Sequence, residues 1–198
     1  MTAPGSARPF VPGDFPVPGE LATARFRLEP LGPQHNAGDY EAWTSSMAHI
    51  RATPGFAGWS WPRQMTPEEN LGDLRRHAGD FAARTGFTYT VLDPAGRVVG
   101  CVYIYPAKDE GGAPAGEGAA SGADVAGTAG VPSAGGVERS GGASGVADVH
   151  SWVRADRAEL DMPLYAAVSA WLAEAWPFAE VRYAPRAGAG GGTAGAGA

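Results

Sequence analysis

Apolar residues change their spacing several times along this chain of 198 residues, and each change marks an element. Over residues 21–31 they alternate around Phe26 and Leu28, which is the period of a half-buried strand. Tyr40, Trp43, Met47 and Ile50 then recur at three and four residues, so a helix is expected over roughly 36–51. A turn-rich stretch, 53–64, carries Phe56, Trp59 and Trp61. Thr66-Pro67-Glu68-Glu69 opens a second helix: Thr66 can cap it, Pro67 suits its first turn, and Glu69 can reach back to close a capping box. Leu71, Leu74, Ala78 and Phe81 form its apolar face, and Gly86 is placed to end it. Residues 87–93 and 98–106 flank the turn Asp93-Pro-Ala-Gly-Arg97 and read as a hairpin. A strand is expected at 148–153, and Leu160, Leu164, Val168, Trp171 and Leu172 define a third helix. A last strand at 180–183 is stopped by Pro185. The order is β-α-α-β-β-(insert)-β-α-β, and the expected class is α+β.

Thirty glycines and 17 prolines interrupt this pattern, and their placement divides the chain. Residues 1–20 form a Pro-rich arm whose Phe10, Val11, Phe15 and Val17 could lie along the domain. Residues 107–147 are a Gly/Ala/Ser tract without apolar period, expected to be a disordered insert, and 187–198 are a tail of the same kind. A single domain is left between 21 and 186. The insert lies between two strands that would be neighbours, where doubling a loop costs only about 0.6 kcal/mol. Gly116-Glu117-Gly118 has neither a strand before it nor a helix after it, so it is no phosphate loop.

Charge and cysteine usage narrow the function classes. A net charge of −6 without a Lys/Arg cluster argues against a nucleic-acid partner. No apolar run approaches bilayer length, the first residues hold no apolar signal segment, and the one cysteine, Cys101, has no internal partner. A cytoplasmic protein with no membrane association is expected. His35, His49 and His77 show no ligand spacing, so no metal is expected.

The candidate chemistry is concentrated in residues 151–165, SWVRADRAELDMPLY. A strand that ends in an arginine-bearing loop and a helix start has the layout of an anion site. The loop lacks glycine, and Asp161 stands close to the helix start. Alternation on 98–105 would place Cys101, Tyr103 and Tyr105 on one face and Val98, Val102 and Ile104 on the other.

The strand TARFRLEPL, two consecutive helices, the hairpin FTYTVLDPAGRVVGCVYIYP and the closing segment WPFAEVRYAPR together resemble the GNAT family of acyltransferases. The resemblance implies a mostly antiparallel mixed sheet with helices on both faces, and acetyl-CoA as co-substrate. It implies acyl transfer to an amine of a small molecule or a protein. Arg157 stands for the arginine of the family's pyrophosphate motif, and Ala158 falls where its first glycine would be. Arg154, with the backbone of Trp152 and Val153, completes the implied cofactor-binding set. His150 is the candidate base and Tyr105 the candidate proton donor, while Trp59, Trp61 and Tyr103 are the candidate acceptor-site residues. The later glycines and the family's final helix and strand pair have no counterpart, so a catalytically degenerate binding module is the alternative. The sheet edge left open at the last strand is a candidate homodimer surface.

Overall fold

A computed structural model of the chain describes residues 10–107 and 144–187. Six strands form one sheet in sequence order: β1 (Leu21–Ala22), β2 (Arg27–Pro30), β3 (Phe87–Leu92), β4 (Val98–Pro106), β5 (Ser144–Val153) and β6 (Phe178–Tyr183). Every neighbouring pair is antiparallel except β5 and β6, which are parallel. Helices α1 (Asn36–Thr44), α2 (Met47–Ala52) and α3 (Pro67–Ala83) come between β2 and β3, and α4 (Asp161–Ala175) connects β5 to β6. The expected α+β architecture with helices on both faces is therefore present.

Several boundaries differ from those read in the sequence, and four of them have a local reason. The first strand is a small hairpin, β1–β2, because Thr23 Oγ1 binds the backbone of Arg25 and Phe26 and turns the chain. The first helix breaks after Thr44. The hydroxyls of Thr44 and Ser45 donate back to the carbonyls of Tyr40 and Ala42 and compete with helix continuation. The second helix carries the expected Thr66–Glu69 capping box, but Arg84, at φ 60°, takes the left-handed position after it. Gly86 serves packing instead, since a Cβ there would lie 2.2 Å from the Tyr105 ring. The strand expected at 148–153 begins at Ser144, so residues 144–147 belong to the sheet and not to the insert. The remaining insert residues, 108–143, the tail from 188 and residues 1–9 of the arm lie outside the described residues.

Sheet alternation divides the core between two faces. Leu28, Val91, Val102, Ile104, Val149 and Val153 face α4, against Leu164 and Val168. Phe10 and Val11 of the arm are buried on this side, and Phe10 stacks on Phe178 at 4.8 Å. Tyr89 donates a hydrogen bond to the carbonyl of Pro18 and ties the arm down (2.6 Å). The opposite face carries Cys101 and Trp152 beneath Trp43, Ile50, Phe56 and Leu74. A β-bulge at the start of β4 pairs Leu92 with Val98 but Val91 with Gly100. It moves Val98 onto the Cys101 face, contrary to simple alternation, and Val99 onto the other. Among the described residues no helix is long and apolar enough to cross a membrane.

Gly100 lets β4 and β5 approach, because a Cβ at this position would stand 2.3 Å from the Trp152 carbonyl oxygen. Backbone cannot give way as a flexible side chain can. Gly100→Ala should therefore lower unfolding free energy by about 3 kcal/mol or more, measured by denaturant titration.

Candidate functional site

The parallel pair β5–β6 runs only from Ser144–Phe178 to Val149–Tyr183. Beyond it the pairing ends, because β6 stops at Tyr183. Residues 151–153 of β5 then have no strand partner on that side, while on the other side they remain paired with β4. The unpaired edge of β5 and the chain after β6 bound a fork at the sheet edge, with His150 one residue past the last pair.

Arg186 occupies the fork. Its side chain is 2% exposed. Nε donates to Asp161 Oδ2 (2.8 Å), Nη1 to the carbonyls of Pro54 (3.1 Å) and Ala184 (3.0 Å), and Nη2 to the carbonyl (2.9 Å) and Oγ (3.1 Å) of Ser151. All five N–H donors of the guanidinium are used. The rings of Tyr165 and Tyr183 lie 5.7 and 5.6 Å from its central carbon. Ser151 Oγ also hydrogen-bonds Tyr183 OH, and burial pushes the Tyr183 hydroxyl up to about 12. One guanidinium thus joins β5, α4, the chain after β6 and the loop before α3.

On the Cys101 face, the 53–61 loop brings several of the expected residues together. The ring of Trp59 packs on His150 at 4.6 Å, and Phe56 meets the same ring at 5.8 Å. Trp61 lies 6.3 Å from Tyr103 and 6.1 Å from Trp152, and Trp152 Nε1 donates to Tyr103 OH (3.3 Å). Burial lowers the His150 pKa, and Asp148 and the Gly55 backbone oppose it. A neutral imidazole results at pH 7. A Cβ at Gly55 would come within 3.1 Å of His150 Nδ1, and the φ of 95° at this position favours glycine as well.

Tyr105 does not join this group. Its hydroxyl donates to Asp80 Oδ2 (3.0 Å), lies 2.8 Å from His77 Nδ1 and 3.3 Å from Thr88 Oγ1, and so clamps α3 to the sheet. Burial raises its pKa, and burial also lowers that of His77 to about 3, with Arg76 adding to the effect.

The implied cofactor residues divide in another way. Trp152 and Val153 are fully buried, on opposite faces, so only their backbone could meet a ligand in the fork. Ala158 is exposed in the 3-10 turn Ala155–Leu160 that precedes α4. Arg154 binds Asp156 (2.9 Å) and Glu41 (3.1 Å), and Arg157 binds Glu159 (2.9 Å) and Asp93 (3.2 Å). Both line a groove of about 440 Å³ with Arg27, Arg97, Glu29 and Glu41, on the β2–β4 side of β5. The fork is on the β6 side. The two arginines therefore meet carboxylates in a groove separated from the fork by β5 itself.

Several residues that shape the site were not legible in advance. Arg186 follows a strand and precedes low-complexity sequence, and no spacing sets it apart. Ser151 and Tyr183 gain their roles only through the parallel register. Asp39 on α1 is 4% exposed and is held by Asn70 of α3 (3.0 Å), a partner 31 residues away. Among the described residues no group of three or more His, Cys, Asp or Glu is placed to hold a metal.

No family model matches the chain, and no curated protein matches it. Solved structures similar to it include a ribosomal-protein-alanine acetyltransferase from Vibrio fischeri, at 11% identity over 77% of this chain and a TM-score of 0.48. A GnaT-family acetyltransferase from Bordetella pertussis is similar at 15% identity over 77%, with a TM-score of 0.43. Mycobacterium smegmatis RimJ in complex with CoA-disulfide is similar at 14% over 73%, with a TM-score of 0.40. At these identities the likeness is one of fold. The chain spans 66%, 72% and 57% of these three proteins, so the first is matched over just under two thirds of its length.

Two measurements test the site's energetics. Arg186→Ala leaves the partly exposed Asp161 carboxylate without its cation and the buried Ser151 carbonyl and hydroxyl without their donor, and unfolding in denaturant should show a loss of about 3 kcal/mol. His77 has a folded pKa of about 3, below the ordinary 6.5, so the unfolded chain binds the extra proton between these values. Stability contributed by the neutral ring is present above pH 6.5 and is lost as pH falls towards 3, at up to about 1.4 kcal/mol per pH unit. His77→Gln should flatten that limb of the stability profile.

Proposed function

We propose that this chain is an acyl-CoA-dependent N-acyltransferase whose thioester arm enters the fork between β5 and β6. The observation that carries this reading is the end of β5–β6 pairing at Val149 and Tyr183, which leaves the edge of residues 151–153 without a strand partner, with His150 next to the last pair. The unpaired edge of residues 151–153 offers backbone groups of the kind an extended pantetheine amide chain requires. Acyl-CoA would supply the activated carbonyl. His150, neutral at pH 7, is suited to accept the proton an attacking amine must lose. The aromatic loop through Trp59 and Trp61 forms the acceptor side.

The fit depends on one side chain. Arg186 fills the fork and must withdraw for the arm to enter, and Arg154 and Arg157 must leave carboxylates to reach any phosphate there. That closure favours a second reading, a GNAT-like binding module in which the fork is permanently sealed.

Calorimetric titration of the full chain with acetyl-CoA and with CoA separates the two. The enzyme reading expects saturable binding, and mass spectrometry should then find acetylated amine after incubation with a mixture of primary amines. Absence of binding at millimolar acetyl-CoA abandons it and leaves the sealed module.

A further inference from the structure

A second cavity lies on the Cys101 face, between α1, α3 and the 53–61 loop. Its volume is about 20 Å³, and its lining includes Trp59, Trp61, Tyr103, Asp39 and Asp73. A cavity needs roughly 10–15 Å³ of this kind of volume to hold a water molecule. There is room for one water-sized head group, and none for a ring or a branched carbon.

Asp39 is what makes the cavity unusual. It is a carboxyl 4% exposed with no basic partner, and its only hydrogen bond among the described residues comes from Asn70 Nδ2 (3.0 Å). Asn70 is itself committed: Oδ1 accepts from Trp43 Nε1 (2.9 Å), and Nδ2 also donates to Asn36 Oδ1 (2.9 Å). The nearby cation, Arg76, is directed to Asp73 and Asp80. A buried carboxylate beside a small void and three electron-rich rings is complementary to a compact cation.

We propose that Asp39 binds the primary ammonium head of an unbranched amine, with Trp59, Trp61 and Tyr103 around it. The ligand is an alkylamine or the free amino group of a peptide, and its chain leaves past the half-buried tryptophans. Trp59 also packs on His150, so the cavity adjoins the acceptor side of the fork. The role of the bound amine as acyl acceptor rests on the enzyme reading above, whereas its binding does not. Burial raises the Asp39 carboxyl to about 6, with Asp73 adding to the effect and Asn70 opposing it. The titratable groups facing it are Asp73, Arg76 and His77 from α3 and Cys101 and Tyr103 from β4. Affinity for an ammonium should therefore fall as pH drops from 7 to 5.

The test titrates the full chain at constant ionic strength and follows tryptophan fluorescence. The probes are n-butylamine against n-butanol, and a short peptide with a free amino terminus, Gly first, against its N-acetylated form. Saturation by n-butylamine or by the free peptide, with no response to its neutral counterpart, supports the proposal and identifies which source the site takes. Asp39→Asn should weaken binding by about tenfold or more and abolish its pH dependence. Trp59→Leu, which leaves Asp39 and Asn70 in place, should weaken it too and serves if the first variant does not fold. Equal response to amine and alcohol, no response to either amine, or full affinity in Asp39→Asn overturns the proposal. A protein that binds n-butylamine and not acetyl-CoA keeps this cavity and loses the enzyme reading. One that binds acetyl-CoA and neither amine loses the cavity alone.

Discussion

Arg186 brings a full positive charge into the sheet edge, and the architecture around it follows from what that charge requires. Desolvating a guanidinium costs several kcal/mol, and the cost is offset only when its donors are satisfied and a carboxylate is at hand. Asp161, three carbonyls and the Ser151 hydroxyl meet this demand, drawn from four separate segments. The start of α4 is thereby fixed against β5, and the loop that carries Phe56, Trp59 and Trp61 is fixed against both. The same contacts close the fork. Rigidity at this edge and access to it are opposed, and one side chain sets the balance.

The sheet separates two chemistries that lie close in sequence. His150 and Trp152 point towards the α1–α3 layer, and Ser151 and Val153 towards α4. A ligand arm in the fork would pass between the layers, while an amine would approach from the Cys101 face. The arginines after β5 belong to neither place. They have turned to Asp93, Glu41, Asp156 and Glu159, and a guanidinium held by two carboxylates has limited capacity for an added anion. The anion-site layout of residues 151–165 has become an ion-paired helix approach.

Buried polar groups on the α3 side serve distinct ends. His77, Thr88, Tyr105 and Asp80 hydrogen-bond one another and fasten α3 to the sheet. Asp39 is held by one amide and borders a void. The first arrangement is complete and the second leaves a charge without a cation, and this difference separates a clamp from a candidate recognition site.

Sequence alone determined the elements whose signals are local. The Thr66–Glu69 box, the turn with Gly96 at φ 78° and the apolar stripe of α4 need only near neighbours to be decided, and all appear where their residues place them. The aromatic group was legible in part, since Trp59, Trp61 and Tyr103 do meet, together with His150. The partners of Tyr105, His77 and Asp80, were not legible, because alternation gives a face and not a neighbour. Tertiary structure decided the rest: the bulge that turns Val98 over, the parallel register that ends at Tyr183, and the long-range partners of Arg186 and Asp39. Arg186 reaches Pro54 across 132 positions and Asp39 reaches Asn70 across 31. Local periodicity carries no information on contacts of that range, which are selected by packing and by the need to satisfy buried charge.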